Sequence, residues 1–199
     1  TQASFTVQID DDSNFGSINY TSGDVASSNG SWISTTLAEG TWYWRVRTKD
    51  ILGAWSSYSS SRVIKIDKTP PSVASGIMCK YSATDDGTII HDIWTSHETP
   101  YFYWTKPASQ SPVAGYSYTY GATSTEPDTN LEITNPDNAY YDLTTPQAGG
   151  TYYFRVKAKD EAGNWGDSVV FKYKLDRTAP TPNPPSGTAT ANSATQITW

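Results

Sequence analysis

The densest cluster of potential metal ligands is Asp10-Asp11-Asp12-Ser13-Asn14. Calcium takes about six to eight oxygens, and clustered carboxylates in one turn can supply several of them. Asp, Ser and Asn are also the ordinary residues of tight turns, because their short side chains bond nearby backbone. Asp10, Asp11, Asp12 and Asn14 therefore stay open to both readings, turn and calcium site. Asp67 and Asp176 stand before Pro-bearing segments, Asp67-Lys68-Thr69-Pro70-Pro71 and Asp176-Arg177-Thr178-Ala179-Pro180. With loop carboxylates such as Asp50 and Asp160, they could hold calcium between neighbouring units and stiffen the chain. Asp85-Asp86-Gly87 reads as a turn.

Catalytic chemistry finds little to work with. The two histidines fall in His91-Asp92-Ile93-Trp94-Thr95-Ser96-His97-Glu98. That spacing fits no helical zinc motif, and no Cys lies nearby to complete a tetrahedral site. Solvated loop residues are the plain reading, and a metal held with Asp92 and Glu98 is the other. Cys79 is the single cysteine, so no internal disulfide can form. It reads as a small buried hydrophobe, since a nucleophile would need a partnered base. Paired carboxylates for sugar hydrolysis would need a cleft that a small sandwich rarely has. The expectation is no enzyme. Asn19-Tyr20-Thr21 and Asn29-Gly30-Ser31 are acceptor sequons, so Asn19 and Asn29 are glycosylation candidates in surface turns.

The elements that must position these residues announce themselves by repetition. Residues 41–55 read TWYWRVRTKDILGAW and residues 151–165 read TYYFRVKAKDEAGNW, with eight of fifteen positions identical at an offset of 110. Such a repeat means one domain type used twice. In each copy an apolar face (Trp42, Trp44, Val46; Tyr152, Phe154, Val156) alternates with a polar one bearing Arg45, Arg47, Arg155 and Lys157, which is the period of a half-buried strand. Phe5, Val7, Ile9 and Tyr116, Tyr118, Tyr120 alternate likewise ahead of each copy. Trp32-Ile33 and Tyr140-Tyr141-Leu143 are the intervening apolar segments, and Val63-Ile64-Ile66 and Val169-Phe171-Tyr173-Leu175 the closing strands. Asp50-Ile51-Leu52-Gly53 and Asp160-Glu161-Ala162-Gly163 read as hairpin connections with Gly available for positive φ. No stretch keeps helical spacing. The fold expected is all-β, tandem antiparallel sandwiches.

Composition agrees. The chain has 199 residues, enough for about two domains, with 14% aromatic and 17% charged residues. A net charge of −6 and the absence of a basic run exclude nucleic acid as a partner. No apolar run of about 18 residues exists, so this segment predicts no membrane span.

The pattern Gly-Thr-aromatic-Tyr-aromatic-Arg-Val, then Lys-Asp-x-x-Gly-x-Trp, resembles strands F and G of fibronectin type III domains, and more narrowly the repeats of large prokaryotic extracellular proteins. Trp104 in Tyr101-Phe102-Tyr103-Trp104 matches that family's strand B Trp, and Trp199 in Gln196-Ile197-Thr198-Trp199 matches it again. Tyr152 sits where the family places its tyrosine corner, whose hydroxyl ties back to the backbone. Trp42 occupies that position in the first copy, so a phenol cannot serve there. Residues 73–98 depart from the family as a longer approach to strand B.

The resemblance implies incomplete modules at both ends: 1–69 lacking strands A and B, 70–178 complete, and 179–199 supplying strands A and B of a further module. A sandwich without two strands exposes open edges and half a core. Residues 1–69 should therefore need donated strands, from a longer array or from residues such as Ile197 and Trp199 of another copy. Trp104 and Ala114 are separated by nine residues, whereas joining Trp199 to a next Thr1 leaves two before Ala3. That join is short by about one hairpin loop. The function implied is a secreted or cell-surface structural repeat, serving as spacer, fibre or adhesion scaffold, with other copies or neighbouring modules as partners. The alternative is a carbohydrate-binding or spacer module of a secreted polysaccharide-degrading enzyme. Tyr43, Tyr118, Tyr141 and Tyr153 are the tyrosines whose partial exposure would suit glycan stacking.

Overall fold

A computed structural model describes residues 1–85 and 87–182. Among the described residues there are twelve strands, and no helix is long and apolar enough to cross a membrane. The first four strands are β1 (Gln2–Asp10), β2 (Tyr20–Thr21), β3 (Gly40–Asp50) and β4 (Arg62–Ile66). They form one antiparallel sheet in the order β2-β1-β3-β4.

The remainder comprises β5 (Ser75–Lys80), β6 (Thr88–Ile89), β7 (Trp94–Thr95), β8 (Tyr101–Thr105), β9 (Val113–Gly121), β10 (Tyr140–Asp142), β11 (Gly150–Asp160) and β12 (Val169–Leu175). These make two sheets, β10-β8-β5-β6 and β7-β12-β11-β9. Their facing sides enclose one aromatic core. Phe102, Tyr116, Phe154, Val156 and Tyr173 are wholly buried in it. Phe102 stacks on Phe154 with ring centroids 4.5 Å apart, and Trp104 meets Tyr116 edge-on at 5.1 Å. This is an immunoglobulin-like sandwich.

The repeat in sequence is a repeat in register. Ile9 pairs with Trp44 and Val7 with Val46, just as Tyr120 pairs with Phe154 and Tyr118 with Val156. Each pairing also slips once near the distal end of the long strand, between Gln2 and Ser4 and between Lys159 and Asp160. The hairpin connections fold as expected. Gly53 and Gly163 adopt φ of 90° and 103°. Asp50 Oδ1 accepts the N–H groups of Leu52 and Ala54, and Asp160 Oδ1 accepts that of Asn164. Asp50 and Asp160 are thus engaged in organising turns.

Both corners close, by different donors. Tyr152 Oη donates to the Ala148 carbonyl at 2.8 Å. Trp42 Nε1 donates to the Ala38 carbonyl at 2.9 Å, four residues back in both cases. The indole N–H does what the phenol does, because both put a donor at the far edge of a flat ring.

Two features of the second unit were not legible beforehand. The long approach at 73–98 contains the expected first strand, β5, followed by a short partner, β6, and then β7, which crosses to the other sheet. There β7 pairs with β12 in parallel, the one parallel pairing among the described strands. Asp92 anchors the crossing through Lys172 at 2.9 Å and Lys174 at 2.6 Å.

Among the described residues, no second sheet faces that of the first unit. Tyr140–Asp142 becomes a strand by pairing with β8. Trp32-Ile33, the corresponding apolar segment, is not a strand, and Ile33 is 93% exposed. A strand needs a neighbour for its backbone groups, and no described counterpart of β8 lies beside this one.

Candidate functional site

The consequence is an open apolar cleft. In the complete sandwich, the inward side chains of β11 are sealed: Phe154, Val156 and Ala158 are at most 1% exposed. Trp44, Val46 and Thr48, at the same positions of β3, are only half-buried. They line a cleft of about 450 Å³ with Phe5, Val7, Ile9, Ile64 and, at its rim, Gly30, Ser31, Trp32 and Ser34. Its floor is almost wholly aliphatic and aromatic, so its chemistry is burial of apolar side chains.

The outer face of that sheet is partly covered. On its outer face Arg45 stacks between Phe15 (4.1 Å) and Tyr58 (4.3 Å), and Arg47 lies 4.4 Å from the Trp55 ring. These contacts lay the guanidinium groups over the ring faces, which attract the cation. Beyond β4, the edge of β3 is satisfied by the Ser-rich segment. Thr48 N–H donates to Ser56 Oγ and Val46 N–H to Ser59 Oγ, and the Ser56 and Ser59 N–H groups bond the Thr48 and Val46 carbonyls. The unpartnered surface is thus the inner face.

A second arrangement joins the two units. Asp67 Oδ1 accepts the Thr69 N–H at 2.9 Å, and Oδ2 accepts the Ser111 N–H at 2.8 Å. Asn164 Nδ2 donates to the Asp67 carbonyl at 3.1 Å and to Asp160 Oδ2 at 3.0 Å. Hydrogen bonding by Ser111 and by the Thr69 N–H holds the Asp67 carboxyl below the usual carboxylate range. The linker is therefore clamped to the loops of the following sandwich. Sequence reasoning missed Ser111 and Asn164. The available signal was that Asn164 replaces Ala54 in otherwise matching connections.

The remaining candidates sit as follows. Asp10 is fully buried, with Oδ1 accepting the Asp12 N–H at 3.3 Å. Asp12 Oδ1 accepts the Asn14 N–H, and Asn19 Oδ1 accepts the Asp11 N–H, so these residues organise the turn between β1 and β2. Asp176 Oδ1 accepts the Thr178 N–H at 2.8 Å, repeating the Asp67 turn. No group of three or more His, Cys, Asp or Glu that could hold a metal occurs among the described residues. Asn19 and Asn29 are exposed. Ile197 and Trp199 lie outside the described residues.

The histidines are engaged separately. His91 Nδ1 accepts the Lys172 N–H, and His97 stacks on Tyr81 at 4.4 Å with Nε2 bonded to the Tyr81 carbonyl. Lys174 and then Lys172 pull the Asp92 carboxyl down to about 2. Burial pushes the Cys79 thiol far above its usual range, which suits a core residue and not a nucleophile. Tyr118 and Tyr141 face inward and pack on Phe154.

No family model and no curated protein match this sequence. Among solved structures the chain is similar to the FN1–FN3 domains of chicken CNTN1, at 16% identity and a TM-score of 0.37, over 91% of this chain and 59% of that one. It is also similar to the fibronectin(III)-like modules of Clostridium thermocellum CbhA, at 10% identity and a TM-score of 0.42, over 92% of this chain and 84% of that one. The fold assignment rests on the strand order and register themselves.

Proposed function

We propose that this chain is a non-catalytic structural stretch of an extracellular surface protein or filament, acting as spacer, fibre or adhesion scaffold. The observation that carries the reading is a first unit whose inner face no described sheet covers, joined by a bonded linker to a complete sandwich. A sheet with one apolar face uncovered needs an opposing layer, which suits a unit set in a row of modules. The clamped junction at Asp67 supports a stiff row of modules over units tumbling on a free tether. Electron microscopy of the native material tests this: fibres or rods with a regular module repeat are expected, and isolated globules sink the reading.

One observation favours a second reading, a carbohydrate-binding accessory module of a secreted enzyme. On the outer face of the β10-β8-β5 sheet, Tyr140 pairs across to Tyr103 and then Met78, and Asp142 to Tyr101 and then Lys80. Tyr101 and Tyr140 stack at 5.3 Å, and Lys80 lies 5.4 Å from both Tyr101 and Tyr103. A flat aromatic row with polar edges can stack sugar rings. A glycan array separates the two: reproducible binding lost in Tyr140→Ala favours the second.

A further inference from the structure

We infer that the outer face of β7, β12 and β11, around Trp94, Lys172 and Lys174, binds a carboxylate-bearing polysaccharide. The surface belongs to the other sheet of the sandwich from the Tyr101–Tyr140 row and stands apart from that row.

Charge is segregated in the complete sandwich. The chain carries a net charge of −6. Alternation along β11 and β12 nevertheless turns Arg155, Lys157, Lys159, Lys172 and Lys174 to one side, opposite the buried Phe154, Val156, Phe171 and Tyr173. The β11 cations are committed to the fold. Arg155 is held by Glu126, Ser124 and Ser168. Lys157 and Lys159 lie 5.2 and 5.5 Å from the Trp165 ring, and Asp128 adds its charge beside Lys157. The first unit repeats that arrangement, with Arg47 and Lys49 over Trp55. The lysine pair of β12 is not repeated: Val63 faces Tyr43 in the first unit where Lys172 faces Tyr153. What recurs serves the module, and what does not recur is particular to this one.

These two lysines are met by a turn that holds them. The backbone of Asp92 takes a φ of 62°, an uncommon region for a residue with a Cβ. It is kept there from several sides. Its N–H donates to the Lys172 carbonyl, the Lys172 N–H donates to His91 Nδ1, and its carboxylate accepts from both ammoniums through one oxygen, Oδ1. Backbone held in such a region by its surroundings clusters at ligand sites. The turn sets Trp94 beside Lys174, 57% exposed, with its ring 5.6 Å from Lys174 Nζ. An indole that open adds little to the core, yet a left-handed residue and two ion pairs fix its place.

The face therefore offers two flat rings with two cations between them. Trp94 on β7 and the half-buried Tyr153 on β11 flank Lys174 and Lys172 of β12. Two strand spacings and two residues of rise put the rings roughly 12 Å apart. Asp92 demonstrates that the ammoniums take a carboxylate, and it leaves further N–H donors on each for a second one. A chain of sugar rings bearing carboxylates presents apolar ring faces and acids in alternation. It matches its rings to the indole and phenol and its acids to the lysines. The exposed Ile90 and Ile93 of the same turn extend the apolar rim.

Titration calorimetry of the full chain with oligogalacturonate tests this. Binding is expected, and it should weaken as salt rises. Trp94→Ala should weaken it about ten- to hundredfold, and Trp94→Phe should restore part of the loss. Lys172→Gln should weaken it about two- to fivefold and flatten the salt dependence. Lys106→Gln, which removes a cation paired with Asp137 beyond the end of β8, should bind as the unsubstituted chain does. Protection of the buried Cys79 from thiol reagents shows that the core of each variant stands. The inference is overturned if oligogalacturonate does not bind, or if neither Trp94→Ala nor Lys172→Gln weakens its binding. It is also overturned if dextran sulfate or oligothymidylate binds as tightly, because the face then reads charge alone. Loss of binding in Tyr140→Ala with full retention in Trp94→Ala moves the ligand to the other sheet. That result removes this site and leaves the carbohydrate-binding reading intact.

Discussion

Phe154 and Trp44 occupy one position of the repeated strand under different cover, so truncating each to Ala measures what an opposing sheet is worth. Phe154 is wholly buried and touches Phe102, Trp104, Tyr118 and Tyr141 through its ring. Phe154→Ala loses the transfer of a full aromatic side chain and leaves a cavity under a rigid aromatic stack that cannot collapse. That costs about 3–5 kcal/mol. Trp44 is the larger residue, yet its inner side faces the open cleft. Its truncation in the monomer removes only partial burial and leaves space that water already reaches, so the cost is about 1–2 kcal/mol. Urea unfolding, followed by near-ultraviolet circular dichroism, resolves the two units. The expected result is a larger loss for Phe154→Ala in the second transition than for Trp44→Ala in the first. If Trp44→Ala already costs as much as Phe154→Ala in the free monomer, the cleft is not open and the reasoning fails.

The corner donors give a second comparison: Trp42→Phe should cost about 0.5–1.5 kcal/mol through the lost bond to Ala38, while Trp42→Tyr should restore most of it, as Tyr152 does in the other unit; urea midpoints decide. The junction should loosen in acid. The Asp67 carboxyl is held below its ordinary 3.8, so its contribution is fully present above about pH 4 and is lost as pH falls through the lowered value. Small-angle scattering should therefore show the spread of inter-unit distances widening at low pH, and Asp67→Ala should show the same widening at neutral pH without the pH response. Cys79 should be silent to thiol reagents at mildly alkaline pH until the second unit unfolds, so labelling kinetics followed by mass spectrometry should track that transition alone; fast labelling of the native chain would refute its burial.

The strands, the two hairpin connections and the module repeat were legible because they are local. Period-two alternation at 41–55 and 151–165 states which face is apolar, and Asp-x-x-Gly states where the chain turns. The crossing at Trp94–Thr95 was illegible because two residues carry no period, and its place is explained by the pairing of β7 with β12 and by the β12 lysines that hold Asp92. The junction was illegible for another reason. Ser111 and Asn164 are far from Asp67 in sequence, and any Asp followed by Thr looks like a turn until the neighbouring loops are brought to it. The acidic cluster at Asp10–Asn14 shows the same limit, since its carboxylates have the composition of a calcium site and are seen bonding the N–H groups of their own turn.

Sequence by itself determined that this is an all-β protein built twice on one plan, because alternation and turn chemistry act over a few residues. Which of the two like sheets is covered was decided only by the tertiary structure. The same inward positions read as core in both copies, and they become core only where β8 and its neighbours lie across them. Burial belongs to a pair of surfaces, and Trp44, Val46 and Phe5 line one surface that no described sheet covers.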